Sequence, residues 1–173
     1  MKKNRIPRKI AQLCLSGALT LFITSLIILS HTIKSTPTSG KSMTPTILDN
    51  VTLYYSTDEA LKEKINRFDI IVFSKKNYED GKQMAKRVIG LPGDHIQIED
   101  STLIINGEVI EEDYLNDVSW WRIEGENNDL IVPEGHLFVM GDNRNHSFDS
   151  RRPEIGFVNL ETDYIGLYLT NIG

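Results

Sequence analysis

From Ile10 to Ser30 the chain reads IAQLCLSGALTLFITSLIILS, 21 positions without a charge. At 1.5 Å rise per residue a helix of that length reaches roughly 30 Å, the thickness of a bilayer's hydrocarbon. Gln12, Ser16, Thr20, Thr24 and Ser25 dilute the run, but hydroxyls bond back to a helix backbone. Residues 31–41, HTIKSTPTSGK, are polar and rich in Ser, Thr, Pro and Gly, the composition of an extended linker. Beyond them the pattern changes to short stretches rich in β-branched and aromatic residues. These are VTLYYS (51–56), FDIIVFS (68–74), KQMAKRVIGL (82–91), HIQIE (95–99), TLIING (102–107), EVI (108–110) and HLFVMGD (136–142), and they predict strands. Asn106-Gly107 is a two-residue hairpin signal, and Glu99-Asp100-Ser101 reads as a second turn. Only 56–65, STDEALKEKI, has helical character, with Thr57 placed to cap it. The expected fold is mostly β. A single transmembrane helix precedes an antiparallel folded-over sheet or partial barrel. The expected divisions are a basic tail (1–9), an anchor (10–30), a linker (31–41) and a β domain (42–173).

Charge adds an orientation. Six of the 19 Lys/Arg lie up to Lys34, where there is no acid, so residues 35–173 hold 13 basic groups against all 24 acidic ones, about −11. An acidic body argues against nucleic acid, whose phosphates need concentrated positive charge. The basic residues Lys2, Lys3, Arg5, Arg8 and Lys9 before the apolar run place the N-terminus in the cytoplasm and the rest outside. A cleaved signal peptide is the competing reading. No Ala-x-Ala site follows the run, since the next alanine after Ala18 is Ala60. Cys14, the only cysteine, lies inside the run, so no internal disulfide is available.

Three stretches carry possible chemistry. Gly40-Lys41-Ser42 resembles the end of a phosphate loop, but such a loop needs a glycine at position 35, which is serine, and a strand before it. Ser42 is alternatively a nucleophile in need of a base. His31, His95 and His136 have ordinary positions; His146, with Asp149 to orient it, is the imidazole candidate. Lys86 is the other. Period-two alternation sets it on one face with Met84 and Val88. An exposed lysine titrates near 10.4, and bringing it near 7 requires about 3 units, roughly 4 kcal/mol of desolvation. A lysine that snorkels from a sheet edge would keep its proton. The third stretch, GDNRNHSFDSRRPEIG (141–156), is either a solvated loop tied by ion pairs or a rigid turn around a site.

Taken in order, SMTPT (42–46), RFDIIVF (67–73), KRVIGLPGD (86–94) and GDNRNHSFDSR (141–151) resemble the soluble boxes of type I (leader) signal peptidases. TLIINGEVIEEDYL (102–115) is similar to that family's connecting hairpin, and the short span from Gly107 to Gly141 resembles its compact Gram-positive members. The resemblance implies a membrane-bound serine endopeptidase with a Ser/Lys dyad, Ser42 as nucleophile and neutral Lys86 as base. It implies that Ser147 orients the lysine, that Asp149 and Arg151 form a supporting ion pair, and that Asp142 and Arg87 are scaffold. The Ser42 N–H would serve an oxyanion hole; Gly40 stands where some members carry a serine donor. Phe68 stands where glycine is common. The implied substrates are signal-peptide-bearing precursors, bound as an added strand and cut after small residues of Ala-x-Ala type, with Met43 lining the pockets. The implied partners are the lipid bilayer and proximity to the secretion translocon, and no metal or organic cofactor is expected. A signal-peptidase-like chaperone or assembly factor for surface proteins or pili is the alternative.

Overall fold

A computed structural model describes residues 7–115 and 128–172. The apolar run forms helix α1, Arg8–Thr32, two residues longer at each end than expected and long and apolar enough to cross a membrane. Leu13, Leu15, Leu21 and Phe22 stand exposed along it, an apolar surface that the protein itself leaves uncovered. Its hydroxyls turn inward to their own helix: Thr20 Oγ1 donates to the Ser16 carbonyl at 2.6 Å and Thr24 Oγ1 to the Leu21 carbonyl at 2.9 Å.

The first correction follows at once. Part of the expected linker is strand β1, Ile33–Pro37, which starts directly after α1 and pairs antiparallel along its length with β2, Thr52–Ser56. Ser/Thr/Pro composition reports solvent exposure, and an edge strand is as exposed as a linker. The second concerns 56–65. Helix α2 is only Glu59–Lys62, and its cap is Asp58, which accepts from the Ala60 N–H at 3.0 Å. Thr57 is engaged elsewhere: its N–H and Oγ1 both donate to the Thr32 carbonyl, at 2.7 and 3.1 Å, satisfying a carbonyl that the end of α1 leaves without a helical partner.

The rest is antiparallel β. The remaining strands are β3 (Ile70–Ser74), β4 (Gln83–Gly90), β5 (His95–Glu99), β6 (Thr102–Ile105), β7 (Glu108–Val109), β8 (Asp129–Ile131), β9 (His136–Met140), β10 (Val158–Asn159) and β11 (Tyr164–Ile172). They form a seven-stranded sheet in the order β1-β2-β11-β3-β4-β9-β10, curled into a half-barrel, and a four-stranded sheet β7-β6-β5-β8. Two-residue turns join β5 to β6 at Asp100-Ser101 and β6 to β7 at Asn106-Gly107, all four residues at positive φ. One apolar cluster joins the two sheets, Ile96, Ile98 and Leu103 packing with Ile89, Phe138 and Met140. A second, of Met43, Ile47, Leu53, Tyr55 and Val72, lines the inside of the curl. The third, around Ile71, Phe73, Val88 and Val139, lies on the opposite face of β3 and β4.

Candidate active site

Ser42 lies in the turn that follows β1, and two contacts fix that turn. The Gly40 N–H donates to Asp49 Oδ1 at 2.8 Å, and the Asn143 N–H donates to the Ser42 carbonyl at 3.0 Å. Lys86 lies in the middle of β4, opposite Ile71 of β3. Its residue is 4% exposed, and its Nζ donates to Ser42 Oγ at 2.8 Å and to the Ala85 carbonyl at 3.0 Å. Burial pushes the lysine down to about 8; the Asp149 and Asp142 carboxylates oppose this, while Arg151 and Lys82 add to it. The group therefore surrenders its proton far more readily than a surface lysine.

Around this pair the 141–151 loop is mostly buried and densely hydrogen-bonded. Asp142, 1% exposed, accepts from Arg87 Nε at 2.8 Å and Nη2 at 2.6 Å, and from the Thr46 hydroxyl. This joins the strand of Lys86 to the turn of Ser42. Asp149, fully buried, accepts from Arg151 Nε at 2.8 Å and from the Gly141 N–H at 2.9 Å. Burial alone would raise that carboxyl, but Arg151 and the Gly141 N–H outweigh it and hold it below the usual range. Ser147 Oγ is buried and reaches no hydrogen-bond partner among the described residues, so a bond to Lys86 is not made here. A β-carbon at Gly141 would stand 2.2 Å from Ser147 Oγ and 2.4 Å from the Ser42 carbonyl oxygen; only glycine fits between them.

His146 is exposed and faces Asn143 Oδ1 at 3.2 Å, while Asp149 is taken by Arg151. The Ser42–His146–Asp149 triad is therefore not assembled. Lys41 is exposed, and turns rather than a helix follow Ser42, so the phosphate loop is not formed either.

A cleft of about 440 Å³ opens onto Ser42 and Lys86. Met43, Ile47, Leu53, Val72 and Ala85 form one side of it, and Tyr78 and Phe148, stacked at 4.7 Å between ring centroids, stand on another. One edge of β4 faces this space. Residues 83–86 pair with β3, but pairing with β9 begins only at Arg87.

Sequence reasoning missed Thr46, Glu112, Tyr114 and Arg144. Arg144 is bound by Glu112, with Nη1 to Oε2 at 2.8 Å and a second, shorter bond between Nη2 and Oε1. Tyr114 lies under Arg87, 4.1 Å from guanidinium to ring centroid. The charges were visible in the sequence, but pairings across 32 residues and between separate sheets carry no local signal.

Comparison with known proteins gives a consistent picture. The family described as "Signal peptidase, peptidase S26" matches residues 11–167. The chain is 33% identical over 156 residues to signal peptidase I of Bacillus licheniformis, covering 87% of this chain and 80% of that protein. It is 35% identical over 157 residues to signal peptidase I of Bacillus caldolyticus, covering 85% and 79%. A crystal structure of a signal peptidase I from Enterococcus faecalis V583 is 41% identical, with a TM-score of 0.48 over 61% of this chain and 97% of that one.

Proposed function

The chain belongs to the signal peptidase family, peptidase S26, whose members remove signal peptides, and we propose that it does so with a Ser42/Lys86 dyad. The observation that carries this reading is the 2.8 Å contact between a buried lysine amine and a serine hydroxyl. Neutral Lys86 takes the Ser42 proton as Oγ attacks the scissile carbonyl, forming a tetrahedral intermediate. The lysine then returns that proton to the leaving amine, the C–N bond breaks and an acyl-enzyme remains. Lys86 next removes a proton from water, and hydrolysis of the ester restores Ser42. The backbone N–H of Ser42 serves the developing oxyanion; Gly40 supplies no side-chain donor.

The free edge of residues 83–86 supports binding of the precursor as an added strand, with main-chain hydrogen bonds holding it. The side chains next to the cut then face Met43, Ile47, Leu53, Val72 and Ala85, a shallow apolar wall suited to alanine. The exposed apolar surface of α1 supports a bilayer anchor, with the basic N-terminus in the cytoplasm and the catalytic sheet outside, near the translocon.

The test is to incubate the purified protein with a secretory precursor and sequence the new N-terminus. Cleavage after Ala-x-Ala is expected, and both Ser42→Ala and Lys86→Ala should abolish it while leaving a folded protein. An active Lys86→Ala enzyme would end the dyad assignment. Failure to cut any such precursor would favour an assembly role instead.

A further inference from the structure

We infer that Glu112 and Tyr114 are positioning residues that hold the two halves of the dyad in register; the inference rests on the function proposed above. Both lie just beyond β7, in the segment that leaves the small sheet, and neither lines the cleft. They nevertheless touch what holds each half. On the lysine side, Arg87 follows Lys86 in β4 and stacks on the Tyr114 ring at 4.1 Å. On the serine side, Glu112 grips Arg144 through both of its oxygens, and Arg144 follows Asn143, whose N–H holds the Ser42 carbonyl. The Tyr114 hydroxyl donates to Glu112 Oε1 at 2.5 Å and so links the two arms. Burial, reinforced by the Glu112 carboxylate, pushes the pKa of that hydroxyl up, so it remains a donor throughout the working range.

Stability alone does not account for this arrangement. The side chains of Arg144 and Glu112 are 0% and 6% exposed, and a buried pair is often replaceable by apolar residues without loss of stability. What the pair does fix is geometry. Arg144 Nε also donates to the Gly141 carbonyl at 3.2 Å, and its own carbonyl accepts from Arg151 Nη2 at 2.8 Å. One guanidinium thus anchors the start of the 141–151 loop and its backbone braces the far end. Phe68 completes the support. It has a φ of 75°, unusual for a residue with a β-carbon. In that conformation its carbonyl accepts from Arg87 Nη1 at 2.8 Å and its ring meets Tyr114 at 6.0 Å. Strain of this kind persists where surrounding contacts over-determine the backbone.

The experiment uses the full chain in detergent, a short Ala-x-Ala peptide and the Ser42→Ala variant as blank. Tyr114→Leu and Glu112→Gln should each lower kcat roughly 10- to 100-fold, the scale of an ångström's misplacement. KM should stay within about twofold and near-UV circular dichroism should remain native, because the binding wall is untouched. Tyr114→Phe keeps the ring under Arg87 but loses the bond to Glu112, so its kcat should fall between those of the parent and Tyr114→Leu. If Tyr114→Leu does not fold, Glu112→Gln, nearly isosteric, decides alone. An unchanged kcat per folded molecule with only a lower melting midpoint overturns the inference, as does a rise in KM with kcat intact. A Tyr114→Phe loss as deep as that of Tyr114→Leu overturns the ring contact as the route. A parent protein without Ser42-dependent cleavage refutes the proposed function instead.

Discussion

At the scale of single residues, Lys86 has two pH dependences that follow from one cause. In the dyad proposed above cleavage needs the neutral amine, so kcat/KM should rise with pH through about 8 and flatten above it, a profile measurable with a short peptide. Stability moves the same way over a different window. The unfolded lysine keeps its proton up to 10.5 and the folded one only to about 8. Between those values the unfolded state binds more protons, and stability rises with pH. By 1.36 kcal/mol per unit the gain is about 3 kcal/mol, and Lys86→Met should remove it from denaturation curves at pH 7.5 and 10. Gly141 offers a sharper test. Gly141→Ala drives a methyl against the Ser42 carbonyl, which is backbone and cannot swing away; peptide cleavage should fall by about 100-fold or more. Ser42 and Lys86 stood out in the sequence as candidates, a hydroxyl after Gly-Lys and a lysine among apolar neighbours, but the residues alone left His146 open as the base and only the resemblance paired them. Ser147 was placed near the lysine by resemblance, and its Oγ is buried without a hydrogen-bond partner among the described residues.

The strands show where period-two reading succeeds and where it stops. β3, β4 and β5 combine alternation or continuous burial with β-branched residues and were legible, as were both two-residue turns. The nine-residue β11 was not, although it lies in the interior of the large sheet between β2 and β3. Its register shifts twice, between Tyr164 and Gly166 and between Tyr168 and Thr170, so its alternation changes phase within a few residues. Gly166 is a point of close approach, where a β-carbon would meet the Ser56 carbonyl oxygen at 2.5 Å. Gly166→Ala should therefore destabilise the sheet by about 1–3 kcal/mol, the usual cost of overpacking, read as a lowered denaturation midpoint. β1 escaped for the opposite reason, as an edge strand whose polar residues face solvent.

For the whole molecule, the helix and the sheets are held differently. The three apolar clusters that hold the sheets together include none of the described residues of α1. Removal of residues 1–32 should leave a folded domain that cuts a short soluble peptide within about threefold of the parent, while processing of a precursor embedded in vesicles drops by about 100-fold as effective concentration is lost. The overall plan of one long apolar helix followed by a β domain was legible because an uncharged run and strand periodicity are both written in consecutive residues. The way the two are joined was not, since it depends on a threonine 25 positions away from the carbonyl it holds. That joint leaves no slack: helix passes into paired strand within one peptide bond, and Thr57 latches the crossing point. On the proposal that α1 sits in a bilayer, this short joint ties the direction of the helix to the edge strand of the large sheet, and through it the height at which the cleft is held.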